Sequence, residues 1–231
     1  MVDPLPMRPW RHDAVAHEPR WNVSAPSPEA DDLLDDVRMH PGDRVLDVDL
    51  GPGAAEGWRL PFADASFDEA VSRDGLQLVG DRRLVLSEMR RVLVPGGRVA
   101  VSVWGRIARS PAFDALARSL QRHGGPRSSA AVHWLFSLCH PADLHAVLAD
   151  VDLERIRART VLRTSRHGSV GEFVRSFVPT FPAGWTGPRV PDPRRIVADL
   201  EEALSPWIDG DGRLWVTNEV VVGVARRRSI G

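Results

Sequence analysis

The chain has 231 residues, 43% of them hydrophobic and 26% charged, with a formal charge of −1 at pH 7. That is enough for one well-buried domain with a small cap, and it excludes the basic excess of a nucleic-acid or anionic-membrane binder. The lone Cys139 excludes an intrachain disulfide, and with no apolar signal core and no run of about 18 apolar residues the expectation is a cytoplasmic protein.

Residues 1–27 are rich in Pro, Arg and Trp without a clear period, and are expected to form an N-terminal arm or lid. Ser27 reads as an N-cap before Pro28, and Ala30, Leu33, Leu34 and Val37 follow at helical spacing. Pro41-Gly42 ends that helix. Arg44 to Val48 reads as a strand, stopped by Gly51-Pro52-Gly53. A second strand lies within Glu69 to Val79. Asp81 to Leu93 reads as a helix with Val85, Met89, Val92 and Leu93 on one face, ended by Pro95-Gly96-Gly97. Arg98 to Trp104 is nearly all apolar, as in a central parallel strand covered on both faces. This strand–helix–strand rhythm predicts a parallel α/β sheet.

Ser110-Pro111 opens a helix with Phe113, Leu116, Ala117 and Leu120 inward, and Pro141 to Asp150 is a short helix. Glu154 to Leu162 alternates, with Ile156, Ala158, Thr160 and Leu162 on one side and Arg155, Arg157 and Arg159 on the other. Ser169 and Glu172 form a capping-box pattern before Phe173, Val174 and Phe177. Asp192-Pro193 starts a helix with Ile196, Leu200, Ala203 and Leu204 inward. Arg213 to Arg226 closes the chain as a strand or hairpin.

Several motifs stand in a fixed order. Asp47, Gly51 and Gly53 make an acidic, glycine-rich turn with Asp49 at the first glycine position. Then come Leu60-Pro61-Phe62, Ser66-Phe67-Asp68, Gly75-Leu76-Gln77, Glu88 to Leu93, Pro95-Gly96-Gly97 and Ser102-Val103-Trp104-Gly105. Over roughly residues 30 to 226 this series resembles the class I S-adenosylmethionine (SAM) dependent methyltransferases, in their ubiquinone/menaquinone-methyltransferase-like, small-molecule branch. The resemblance implies a Rossmann-like fold with SAM at the carboxyl ends of the strands.

One departure is large. Only Ala54 to Arg59 separate the glycine turn from Leu60-Pro61-Phe62, where the family places two strand–helix units. Six residues reach ~20 Å when extended, and the two strand tops to be joined are about 10 Å apart. A helical crossover of ~10–12 residues does not fit. The expected fold is therefore a truncated class I α/β sheet, mainly parallel, of about five strands. In family numbering its order is 1-4-5-7-6, with strands 2 and 3 missing. Residues 28–231 would form one domain, with 106–212 as a helical cap on the acceptor side. The first strand (Val45 to Val48) would be an exposed edge, covered by residues 1–27 or by a second subunit.

For the site, the resemblance implies SAM contacts from Asp47, Gly51, Gly53, Glu56, Ser72 and Arg73. Glu56 would face the adenine amine. Arg73 would grip an anionic group, or pair with Asp74 or Asp49. The ribose carboxylate of the family has no counterpart. No catalytic base is assigned. The eight His show no zinc-like spacing, so no metal is expected, and no Ser-His-Asp arrangement is read. Trp185 and Trp207 line an acceptor cavity or pack in the core. The implied function is methyl transfer to a small molecule with a SAM pocket impaired by the gap. The alternatives are a non-catalytic pseudo-methyltransferase that binds a partner or ligand, and a deletion product without selected activity.

Overall fold

A computed structural model of the chain describes residues 20–24, 42–49, 59–177 and 192–229. The helix expected from Ser27, Gly51, Gly53, Glu56 and Trp185 lie outside the described residues. Six strands form one sheet: β1 (Arg20–Ser24), β2 (Val45–Asp49), β3 (Phe67–Arg73), β4 (Leu93–Trp104), β5 (Leu153–His167) and β6 (Leu214–Arg227), in the order β1-β2-β3-β4-β6-β5. The β2–β3 and β3–β4 pairings are parallel, and the other three are antiparallel. The sheet is thus mixed rather than mainly parallel. The reversals come from β1, supplied by the N-terminal arm, and from β6, which returns between β4 and β5. Five strands, β2 to β6, make a Rossmann-like α/β sheet trimmed on the β2 side.

The strand at Val45 to Val48 is not an exposed edge. Trp21 pairs with Val48 and Val23 with Leu46, and Val45, Leu46 and Val48 are buried. The chain covers this edge itself, so β2 offers no free edge to a second subunit.

Helix α1 (Arg82–Val92) starts where the Asp81 carboxylate accepts the Leu84 N–H at 2.9 Å. Its buried Val85, Leu86, Met89 and Val92 pack with Leu46, Val48, Ala70, Val99 and Val101 on one face of the sheet. Helix α4 (Pro141–Ala149) joins this layer through Leu144 and Leu148. Its approach depends on Gly223 in β6, where a Cβ would stand 2.8 Å from Leu144 Cδ2 and 3.0 Å from Leu148 Cδ1. Gly223→Ala is expected to overpack this contact and cost about 1–3 kcal/mol, seen as a lowered denaturation midpoint with unchanged m-value. Pro95-Gly96-Gly97 ends α1 as expected and lies in a bulge of β4, between the Phe67–Leu93 and Glu69–Arg98 pairs. A Cβ on Gly97 would sit 2.8 Å from the Val94 carbonyl, so the backbone there admits no side chain.

Helices α2 (Pro111–Gly124), α3 (Pro126–Trp134), α5 (Val170–Phe177) and α6 (Pro193–Ala203) build a second cluster around Phe113, Leu116, Phe173 and Leu200, with Leu214 and Val216 of β6. Helix α3 has no counterpart among the elements read from spacing, since Ser128 and Ser129 are buried on it beside Ala131 and Val132. At α5 the capping box is present: Ser169 Oγ accepts the Glu172 N–H at 3.1 Å, and the Glu172 carboxylate accepts the Gly168 N–H at 2.7 Å. The stretch 106–212 is not helical throughout, because β5 and α4 within it belong to the sheet layer.

From Arg157 on, past a register shift between Glu154 and Arg157, strand β5 keeps the expected alternation, but its buried face changes along the strand. Ile156 and Ala158 are half-buried and Arg155, Arg157 and Arg159 exposed, as read. From Thr160 on the faces exchange: Leu162 is 65% exposed, while Val161, Arg163, Ser165 and His167 turn inward. The pleat is unbroken. The covering layer changes side, from α4 near the start of the strand to the helical cluster near its end.

Candidate functional site

Strand register assigns the side chains to faces. Val45 is opposite Glu69, Glu69 opposite Arg98, Arg73 opposite Ser102, and Trp104 opposite Val220. Because side chains alternate along a strand, Asp47, Arg73, Ser102, Trp104, Asn218 and Arg163 share one face, the one opposite α1. They form a polar row at the carboxyl ends of β2, β3 and β4, the rim where open α/β sheets bind ligands.

The row holds two acid–arginine pairs. Arg73 Nη1 donates to Asp47 Oδ2 at 2.6 Å. Asp74, which follows β3 with φ at +48°, pairs with Arg163. A positive φ is uncommon for a residue other than glycine, and Asp is among those that tolerate it. The turn is tied to β4: Ser102 Oγ donates to Asp74 Oδ1 at 2.8 Å, and Asp74 N–H donates to the Ser102 carbonyl at 2.9 Å. Gln77 Nε2 donates to the Asp74 carbonyl at 2.6 Å. Arg163 reaches across β6, its guanidinium carbon 5.5 Å from the centroid of Trp104. Trp104 belongs to an aromatic group in which Phe113 lies 4.8 Å and Phe136 and Phe177 6.4 Å from it. His167, also on this face, stacks edge-on against Phe173 at 5.2 Å, and burial lowers its pKa, which favours the neutral imidazole.

Of the residues expected at the site, Asp47 and Arg73 are brought together. Arg73 pairs with Asp47 and not with Asp74, whose partner Arg163 arrives from β5. Ser72 lies on the other face: it is fully buried beneath the α1 layer and its Oγ has no hydrogen-bond partner among the described residues. Gly51, Gly53 and Glu56 are outside the described residues. Trp207 is 39% exposed and is not packed in the core. The sequence reading missed Ser102, Arg163 and Asn218. Only Val161, an apolar residue interrupting the alternate arginines at 155, 157, 159 and 163, hinted at a different environment there.

Two further clusters are structural. Glu219 accepts the Arg106 N–H at 3.0 Å and Arg106 Nε and Nη2 at 2.8 Å each, which draws its pKa down to about 2 and pins the loop after β4 to β6. Ser119 and His123 on α2 meet Asp199 on α6 at 2.7 and 3.0 Å. Both contact the same carboxylate oxygen, so the three tie two helices together and form no nucleophile–base relay. Among the described residues no cluster of His, Cys, Asp and Glu could hold a metal ion, and no helix is long and apolar enough to cross a membrane.

Residues 30–101 match the family profile described as a methyltransferase domain. A demethylmenaquinone methyltransferase from Deinococcus radiodurans is 37% identical over 100 residues, covering 43% of this chain and 40% of that protein. One from Beutenbergia cavernae is 44% identical over 119 residues, covering 36% and 49%. The O-methyltransferase resE of Aspergillus sclerotiorum is 45% identical over 64 residues, covering 28% and 24%. The chain thus spans between a quarter and a half of the length of these relatives. Among solved structures, the YcgJ protein from Bacillus subtilis is 17% identical with a TM-score of 0.42, covering 74% of this chain and 68% of that one. Over residues 30–101 the chain is thus similar to the methyltransferase domain of these relatives.

Proposed function

We propose that this protein is a SAM-dependent methyltransferase-like protein acting on a small molecule, with a SAM site weakened by the short connection at 54–59. The observation that carries this reading is the Asp47–Arg73 pair at the carboxyl-end rim. The amino-acid end of SAM is a zwitterion. Asp47 would accept from its ammonium and Arg73 would donate to its carboxylate, so one internal ion pair is exchanged for two. The described residues therefore fit that end of the cofactor. The ribose has no such provision, because the six residues at 54–59 contain no second strand to present a carboxylate. When bound, SAM supplies an electrophilic methyl group. The chain's own part is to hold the acceptor above the rim beside Trp104, Asp74 and Arg163 and to keep water from it with the helices of 106–212.

Losing a charge-assisted ribose contact costs about 1.5–3 kcal/mol, or roughly 10- to 150-fold in affinity. Calorimetric titration is expected to show SAM and S-adenosylhomocysteine binding, weaker by that factor than in a full-length relative. Asp47→Asn and Arg73→Gln are each expected to weaken it about tenfold or more. The second reading, a pseudo-methyltransferase, rests on the same pair: if Arg73 plugs the site, Arg73→Gln leaves SAM binding unchanged or improves it. Absence of binding at millimolar SAM in the folded protein would refute the first reading.

A further inference from the structure

The polar row has a half that the cofactor's amino-acid end does not use. Arg163 and Asn218 are directly opposite across β5 and β6, so their Cβ atoms are about 5 Å apart on one face. Among the described residues, the guanidinium makes one hydrogen bond, to Asp74, which leaves most of its five N–H donors available. Arg163 and Asp74 are each 22% exposed at the side chain, within reach of solvent. Asn218 is only 2% exposed. Its Nδ2 donates to Ser165 Oγ at 3.2 Å, and its buried Oδ1 has no hydrogen-bond partner among the described residues. A buried acceptor without a donor is costly and rare, and it calls for a group that donates to it. Beside it stands Trp104, half-buried, one ring face under the Arg163 guanidinium.

The geometry points to a binding site for an aromatic carboxylate that also carries a hydroxyl or amino donor. Arg163 takes the carboxylate in its planar fork. Asp74 is the internal carboxylate that holds this place in the free protein, and it remains tied to Ser102 when displaced. The ring lies along the apolar edge formed by Trp104 and Phe177. The ligand's O–H or N–H donates to Asn218 Oδ1. This deepens the reading above by naming the acceptor class, and it rests on that reading only in calling the ligand a methyl acceptor. Binding itself needs no SAM.

The test is titration of the full chain, without SAM, with meta-hydroxybenzoate and its neutral amide, followed by calorimetry and ligand-observed NMR. Meta-hydroxybenzoate is expected to bind saturably and at least about tenfold tighter than the amide, because only the acid offers a charge-assisted pair. Arg163→Gln is expected to remove that preference, and Arg163→Lys to retain part of it. Asp74→Asn is expected to tighten acid binding about tenfold by removing the internal competitor, an effect opposite in sign to that of general damage to the fold. Equal binding of acid and amide, weaker acid binding in folded Asp74→Asn, or no saturable binding to either protein would overturn the proposal. A SAM titration of the same samples separates the two readings. SAM binding without acid binding defeats this site alone, and acid binding without SAM binding defeats the methyltransferase reading alone.

Discussion

Replacing Arg91 with alanine is expected to lower the melting temperature by roughly 6–20 °C. Arg91 sits on α1, yet its guanidinium holds the chain that emerges from the short connection. Nη1 donates to the Phe62 carbonyl at 2.8 Å and to Asp64 Oδ1 at 2.7 Å, and Nη2 donates to the Leu60 carbonyl at 3.0 Å. Both Glu88 oxygens accept from the same guanidinium at 2.8 and 2.7 Å, and Glu88 also accepts the Leu60 N–H at 3.0 Å. The cluster is largely buried apart from Asp64. Hydrogen bonds from Arg91 and Leu60 hold the Glu88 carboxyl below its usual range. Truncating Arg91 frees two backbone carbonyls and leaves the Glu88 charge buried without its partner, a loss of about 3–5 kcal/mol. At roughly 2–4 °C per kcal/mol for a chain of this size, the stated melting shift follows.

Arg91→Lys keeps the charge and loses the fork, so it is expected to recover only part of the loss. A thermal melt of the three proteins checks this, and equal melting temperatures would show that the Leu60–Phe62 segment is held by other means. The clamp also bears on the site. It seats Leu60 in the core at the point where the chain rejoins the sheet after the gap, close to the start of β3.

Stability is expected to fall as pH rises from about 4.5 to about 7, and Glu69→Gln to abolish that part of the pH dependence. Glu69 lies in the middle of the sheet face that carries the polar row, at its other end, and is completely buried. It pairs with Arg98, which also donates to Asp43 at 2.9 Å. Among the described residues Glu69 Oε2 accepts no donor, and the Asp43 carboxylate stands close to it. Burial pushes its pKa up from 4.5 to about 7, against the opposing pull of Arg98.

The direction follows from proton linkage. Below pH 4.5 the carboxyl is protonated in both folded and unfolded chains. Between 4.5 and 7 the unfolded chain has released the proton and the folded chain retains it, so each pH unit costs up to about 1.4 kcal/mol. Above 7 both forms are ionised and the slope ends. The full span amounts to about 3 kcal/mol. Urea denaturation of the wild type and Glu69→Gln at a series of pH values isolates this group, because carboxyls with lowered pKa values act in both proteins at more acidic pH. Identical slopes in the two proteins would exclude Glu69 as the source.

Much of the fold was legible because its cues are local. Asp81 before α1, Ser169 with Glu172 before α5 and Asp192 before α6 act within four residues: the capping box read at Ser169 and Glu172 forms, and Asp81 and Asp192 cap helices that start where they were read to start. Apolar period placed the cores of α1, α2 and α6, except that Ala203, read as inward, is exposed at the end of α6. The expectation that residues 1–27 could cover the first strand was a statement about unsatisfied backbone, and β1 meets it. What was not legible has the opposite character. Thr160 and Leu162 share a face with Ala158 as read, but alternation reports only which residues share a face and not which face is buried. Which face is covered depends on helices far away in sequence.

The candidate site divides in the same way. Asp47 and Arg73 stand at the ends of two strands that the motifs identify, and their order along the chain is enough to bring both to one rim. Ser72 fell on the wrong face because strand pleat sends adjacent residues to opposite sides. Arg163 could not be placed beside Asp74, 89 positions earlier, until the return of β6 between β4 and β5 set how far the β5 side chains must reach. By itself, then, the sequence determined the likeness to methyltransferase domains over residues 30–101, the short strand–helix order and the rim that carries charge, since motif spacing, caps and short connections act over a few residues. Only the tertiary structure decided which charges pair, which strand guards the edge and which buried acceptor is left without a donor, because those depend on register and on faces that long-range packing selects.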